Sequence, residues 1–196
     1  AMLGYSYQYS QYSGLNASNK DFPNDGLGAD NLGTGEYAKE EGEVGMGTYK
    51  NDAKLISFFG RLSYDYKGKY LFTASLRHEG SSKFGANDKW GNFPAVSAGW
   101  RISEEAFMKD VKWINNLKLR ASWGQLGNIN NVGQYDYFSS YQQGGNYNFE
   151  DAIVSGIVES KPANPTLGWE TVTITDIGVD FDIFNGLLNF TADYYN

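Results

Sequence analysis

The stretch ISFFGRLSYDYKGKYLFTASLRHE, Ile56 to Glu79, decides the fold class. Phe58, Gly60, Leu62, Tyr64 and Tyr66 occupy every second position, with Arg61, Ser63 and Asp65 between them. After Lys67-Gly68-Lys69 the alternation resumes. Tyr70, Phe72, Ala74 and Leu76 oppose Thr73, Ser75, Arg77 and Glu79. A period of two belongs to an extended strand, whose side chains point alternately to the two faces of a sheet. A short polar break centred on glycine between two such runs reads as a hairpin turn. One face of this hairpin is apolar and aromatic; the other carries charge in mid-strand.

The same pattern recurs on both sides and predicts seven strands, at 2–13, 54–66, 70–79, 94–103, 117–124, 169–183 and 187–196. Tyr5, Tyr7 and Tyr9 share a face of the first. In the fourth, Val96, Ala98, Trp100 and Ile102 alternate with Ser97, Gly99 and Arg101. In the fifth, Leu117, Leu119, Ala121 and Trp123 alternate with Lys118, Arg120 and Ser122. In the sixth, Ile177, Val179 and Phe181 alternate with Asp176, Gly178, Asp180 and Asp182. In the seventh, Leu188, Phe190, Ala192 and Tyr194 alternate with Asn189, Thr191 and Asp193. The connections after strands one, three and five are long, at 14–53, 80–93 and 125–168. Those after strands two, four and six are short: the Lys67 turn, a capped helical connector within 104–116, and Phe184-Asn185-Gly186. An antiparallel meander of this kind carries its long loops on one side. Strands of about ten residues, with short turns at one end and long loops at the other, are the signature of a transmembrane β-barrel.

Composition agrees. The chain has 196 residues, with 24 glycines, 4 prolines, 15 tyrosines, 12 phenylalanines and 5 tryptophans. Aromatic residues favour strands and glycine favours turns. Cysteine is absent, which excludes a disulfide framework and thiolate chemistry. A net charge of −7, with no basic stripe, argues against nucleic acid as a partner. The acids of the first long loop, Asp21, Asp25, Asp30, Glu36, Glu40, Glu41 and Glu43, read as a solvated surface. Their spacing misses the alternate carboxylates of a calcium loop. No apolar run is long enough for a transmembrane helix, and the first residues lack a signal-peptide pattern. The chain starts and stops in strand-like sequence, so it reads as an internal piece of a longer protein.

The mid-strand charges settle which face meets what. Arg61, Arg77, Arg101 and Arg120, with Asp176 and Asp180, fall on the face opposite the apolar one. An arginine aimed at the bilayer midplane costs about 2–4 kcal/mol. The apolar face is therefore assigned to lipid, and the four arginines are expected to face a wet lumen. Tyr64, Tyr66, Tyr70, Phe72, Phe181, Phe184 and Phe190 flank the short turns, and Trp123 and Trp169 sit at the long-loop end. That distribution fits two interfacial girdles. Seven strands do not close a barrel, and an open edge in lipid leaves backbone groups unpaired. Further strands are expected beyond this sequence, and the isolated sheet is expected to aggregate.

Four motifs follow one another in order: RHEGSSKFG (Arg77 to Gly85), WGNFPAVSAGWRISEEAFM (Trp90 to Met108), LKLRASWGQLGN (Leu117 to Asn128) and NPTLGWE (Asn164 to Glu170). On these the chain resembles the SusC/RagA family of TonB-linked outer-membrane transporters of Bacteroidetes, over nearly all of its length beyond Leu55. His78 and Glu79 stand where the family more often has Arg and Asp. The resemblance implies a barrel of about 22 strands filled by a plug domain, of which residues 1–196 are wall. It implies the cell outer membrane, with long extracellular loops and short periplasmic turns. It implies a SusD-like surface lipoprotein as partner, an oligosaccharide or peptide as cargo, and the TonB complex acting through a plug segment outside this chain.

Trp90, Tyr135, Tyr137 and Tyr141, placed in loops near the mouth, are the candidate substrate-binding residues, because sugar faces stack on aromatic rings. The four arginines are expected to pair with acids of the plug. His78, the one histidine, has Ser81, Ser82 and Glu79 nearby in sequence, but the resemblance places them in a surface loop, which argues against a catalytic role. No phosphate-cradling glycine loop, metal-ligand cluster or cofactor signature is present. The leading expectation is therefore a non-enzymatic, energy-coupled importer. The alternatives are a passive porin or structural barrel, a membrane-embedded barrel enzyme, and a secreted carbohydrate-binding β-domain.

Overall fold

The computed structural model describes residues 1–26, 31–35, 45–150 and 152–196. The acids Asp30, Glu36, Glu40, Glu41 and Glu43 lie outside the described residues. The strands are β1 Met2–Ser18, β2 Gly45–Tyr66, β3 Tyr70–Ser81, β4 Trp90–Arg101, β5 Ile114–Asn128, β6 Ser140–Gln143, β7 Tyr147–Phe149, β8 Ala152–Val154, β9 Ile157–Lys161, β10 Glu170–Ile183 and β11 Leu188–Tyr195. One sheet has the order β1-β2-β3-β4-β5-β10-β11; β6 pairs β9 and β7 pairs β8 in two short ladders. The chain divides into two compact units, residues 1–8 with 54–196, and residues 9–53.

The seven expected strands are present as an antiparallel meander, but several run longer than periodicity indicated. β1 continues to Ser18 and β2 begins at Gly45, where the expected loop spanned 14–53. β5 continues to Asn128. Ladder hydrogen bonds set a strand's extent, and they continue past the point where one face stops being apolar. At the end of β5, Asn128 lies opposite Glu170 and its Nδ2 donates to Glu170 Oε2 at 2.9 Å. Trp90, expected in a loop, opens β4 opposite Gly80, and only residues 82–89 separate β3 from β4. The expected loop 125–168 contains the four short strands β6 to β9.

The short connections form as their residues dictate. Lys67 and Gly68 both have left-handed backbone, φ 57° and 68°, and Lys69 N–H donates to Tyr66 C=O at 3.0 Å. Two consecutive left-handed residues give the turn that matches strand twist, and glycine takes that conformation without strain. Asp65 Oδ1 accepts from Gly68 N–H at 2.7 Å. Phe184, Asn185 and Gly186 are left-handed in the same way, at 54°, 57° and 83°. Residues 102–104 and 106–108 form 3₁₀ turns in place of the expected helical connector.

Residues 9–53 form their own unit, in which Asn19 Nδ2 donates to the carbonyls of Leu32 and Gly35 at 2.7 and 3.0 Å. Asn31 caps the 3₁₀ turn Leu32–Thr34.

A conventional core is missing among the described residues, where the buried apolar side chains are Phe84, Phe93 and Ile183. Leu62 and Ile177 are more than half exposed and Val96 is 41% exposed. A soluble sheet of this size would hide such a face. Among the described residues no helix is long and apolar enough to cross a membrane, which bears on helices alone.

Candidate functional site

Residues directly opposite across a sheet share a face, so the register fixes the faces without ambiguity. The row Leu62, Ala74, Val96, Trp123 and the row Tyr64, Phe72, Ala98, Ala121, Ile177, Tyr194 lie on one face. On the other lies a row of hydroxyls, Ser63, Thr73, Ser97 and Ser122, continued by Asp176 and Tyr195. Arg61 opposes Ser75, and Ser75 shares its strand face with Arg77. Arg101 opposes Lys118, two residues from Arg120. All four predicted arginines therefore share the hydroxyl face.

Two ion networks occupy that face. Arg77 and Glu79 stand two apart on β3, and the Arg77 Nε and Nη2 groups donate to Glu79 Oε2 and Oε1 at 3.0 and 2.5 Å. Ser57 Oγ donates to Glu79 Oε1 at 2.5 Å and accepts from Arg77 Nη2 at 2.8 Å. Ser57 is fully buried and Glu79 nearly so. A carboxylate that has lost its water needs such a bidentate partner. The second network crosses three strands: Arg120 Nε donates to Asp180 Oδ2 at 3.0 Å, and its Nη2 donates to Asp193 Oδ1 at 2.8 Å. Gly178, directly opposite Arg120, leaves the space; a Cβ there would run into the Asp193 carboxylate and the guanidinium. Among the described residues Arg61 and Arg101 form no ion pair.

At the loop end, the hydroxyl face turns aromatic. Phe93, opposite Arg77, meets the Trp169 ring at 5.1 Å, and Phe84 meets it at 5.2 Å. Trp169 Nε1–H donates to Lys89 C=O at 3.1 Å. Trp169 was expected in an outward girdle; it packs instead over this face, because Phe84 and Phe93 offer it a dry seat. Loop 82–89 is thereby tied to the segment preceding β10. Lys83 Nζ donates to Ile129 C=O at 3.1 Å, and Asp136 accepts from Lys161 Nζ at 2.6 Å and from Gly133 N–H at 2.7 Å. The Lys161 hydrogen bond, then the Gly133 amide, lower the Asp136 pKa.

At the turn end one carboxylate gathers three donors. Glu105 accepts from Tyr70 OH at 2.7 Å, Lys69 Nζ at 3.0 Å and Trp100 Nε1 at 3.2 Å. These bonds, that of Tyr70 foremost, lower its pKa to about 2. Tyr70 and Trp100 are opposite one another on the apolar face.

The predicted ligand aromatics separate. Trp90 lies on the apolar face, its ring parallel to His78 at 4.7 Å and 6.4 Å from Phe58. His78 Nδ1 shares a hydrogen bond with Asn92 Oδ1 at 2.8 Å. Tyr137 pairs with Phe138 at 4.2 Å and approaches Gly85. Tyr135 is 54% exposed, and Tyr141, on β6, is exposed as well. The structure brings no two of these four rings into contact among the described residues. Sequence reading missed Ser57, Phe84 and Glu105. Phe93, placed in the loop 80–93 by the sequence reading, was missed as well; an aromatic residue breaking the small and polar pattern of its face is the signal that would have found it.

Comparison with known proteins follows the same lines. The family model for the TonB dependent receptor-like β-barrel matches residues 1–196. A TonB-dependent receptor of Formosa agariphila is 41% identical over 196 residues, 99% of this chain and 18% of the relative. The TonB-dependent receptor SusC of Bacteroides thetaiotaomicron is 38% identical over 150 residues, 75% of this chain and 15% of SusC. A solved structure of the RagAB peptide transporter aligns with 97% of this chain at TM-score 0.75 and 27% identity, and the match covers 20% of that protein's chain. The chain thus spans less than a fifth of the length of the curated relatives it matches. On sequence and on fold, the chain belongs to the TonB-dependent receptor-like β-barrel family.

Proposed function

We propose that this chain is wall of an energy-coupled outer-membrane transporter. The whole protein imports an oligosaccharide or peptide together with a SusD-like surface lipoprotein, and the TonB complex acts on a plug held inside the barrel. The observation that carries the reading is the two-sidedness of the sheet: Leu62, Val96 and Ile177 stand bare on one face, and four arginines and a row of hydroxyls on the other. In this reading the bare face meets lipid, and Arg61, Arg77, Arg101 and Arg120 line a wet interior.

The dimensions support it. Aromatic Tyr66 and Phe58 on β2 are eight residues apart, roughly 26 Å of strand at about 3.3 Å per residue. A tilt of about 40° reduces this to about 20 Å of height, close to the apolar band of about 25 Å on such barrels. Trp90 and His78 then belong to the interfacial belt at the loop end. Tyr135, Tyr137 and Tyr141 remain as the rings for cargo or lipoprotein. The unpaired edges of β1 and β11 find partners among the other strands of the barrel.

The test is uptake. A strain lacking the gene is complemented with the whole protein and offered labelled oligosaccharides and peptides. Uptake that stops when the proton-motive force is collapsed supports the importer. Uptake that continues after collapse refutes energy coupling and leaves a passive porin.

A further inference from the structure

We infer that the concavity beside Arg61 on the hydroxyl face is a binding site for a carboxylate. The inference rests on the assignment of that face to a water-filled interior. It starts from charge accounting. Arg77 is satisfied by Glu79, and Arg120 by Asp180 and Asp193. Asp65, the other charged residue on the same face of β2, is turned to the Gly68 amide. Asp176 lies four strands away from β2, roughly 19 Å at about 4.8 Å per strand. Arg61 is thus an exposed mid-strand guanidinium beyond the reach of every described acid on its face.

The part of the concavity nearest Arg61 is lined by hydroxyls. The concavity, of about 280 Å³, runs from Arg61 past Thr73, Ser75, Ser97 and Ser122 to Leu126 and Ile174, which share this face at its far end. Ala95 and Gly124 are opposite one another on its floor, where a Cβ on Gly124 would sit 3.0 Å from that of Ala95. Small residues therefore keep the floor low. A guanidinium at one end, with hydroxyls beside it and apolar Leu126 and Ile174 beyond them, matches a carboxylate attached to a hydroxylated body with an apolar side. Bidentate pairing favours a carboxylate over a neutral group at the arginine end.

The carboxylate has two possible sources, an acidic group on the cargo or an acidic side chain from elsewhere in the whole protein. The experiment compares Arg61→Gln and Arg61→Lys with the natural protein, each as full-length barrel in detergent. The probes are a trisaccharide of hexuronates and a neutral hexose trisaccharide. With cargo as source, Arg61→Gln weakens the hexuronate probe about tenfold, as loss of a charge-assisted hydrogen bond implies. The neutral probe is unaffected and Arg61→Lys recovers part of the loss. With an internal source, probe affinities hold, but Arg61→Gln lowers the unfolding midpoint without probe and Arg61→Lys restores it. Equal loss for both probes, or no change in either affinity or midpoint, overturns the site. Binding to purified protein needs no energy coupling, so failure here leaves the import reading to be judged by uptake alone.

Discussion

Leu62 and Ser63 are neighbours on β2 that face opposite ways, and replacing each by arginine tests the assignment of faces directly. Leu62 lies four residues from Tyr66 and four from Phe58. That places it about 13 Å along the strand from either aromatic end and near mid-height of the apolar band. Among the described residues a Leu62→Arg guanidinium there has no acid beside it, since the opposite residue is Ala74, Ala74 opposes Val96, and Ala1, Met2 and Leu3 lie on its other side. The cost is about 2–4 kcal/mol at the midplane, equivalent to a roughly 30- to 700-fold fall in the folding equilibrium. Ser63→Arg places the same charge opposite Thr73 on the hydroxyl face, where an exposed substitution changes stability by about 0.5 kcal/mol or less. The assay is urea-dependent folding of the full-length barrel into lipid vesicles, followed by the heat-sensitive mobility of the folded form. Equal penalties for the two variants, or a larger one for Ser63→Arg, would refute the assignment.

Three further outcomes follow from the site geometry. Glu105 has a lowered folded pKa, so its contribution is present above the ordinary carboxylate pKa and is lost as pH falls toward about 2. Tryptophan fluorescence of the whole barrel should report loosening of the Trp100 contact between pH 4.5 and 2, and Glu105→Gln should remove that transition. Asp136→Asn should weaken the ties to Lys161 and Gly133, and limited proteolysis should then cut faster within 129–139. Trp169→Ala should expose Phe84 and Phe93 at a cost of about 3 kcal/mol, the low end for a large aromatic because Trp169 is itself only half-buried. Hydrogen exchange should rise in 82–89, and unchanged exchange there would show that the ring does not hold the loop.

What the sequence disclosed follows from which interactions are local. Strand identity, turn position and face come from a period of two and from glycine placement, and both are written into neighbouring residues. Tyr64 against Asp65, or Leu119 against Arg120, declares its face without knowledge of any partner. Strand ends were less legible. Beyond Gly124, β5 continues through Gln125 and Leu126 because β10 supplies Thr173 and Val172 opposite them. That pairing joins residues almost fifty positions apart. Trp90 was read as a loop residue for the same reason: its strand partner Gly80 carries no side chain to announce a pair.

The contacts that sequence could not disclose are those where one side chain serves several strands. Glu105 has no periodic signature. Its role appears only when the connector returns beside Lys69, Tyr70 and Trp100, and chain reversal at Lys67-Gly68 brings the first two there. Ser57 looks like an ordinary small residue on a polar face, yet it is fully buried and joins Glu79 to Arg77 through its hydroxyl. The charged face divides along its length. Its loop end is aromatic and pairs Arg77 with Glu79, whereas its middle is hydroxyl-lined and leaves Arg61 without an ion pair among the described residues. In the reading proposed above, that stretch of the wall is where a carboxylate, from cargo or from elsewhere in the whole protein, would meet the sheet.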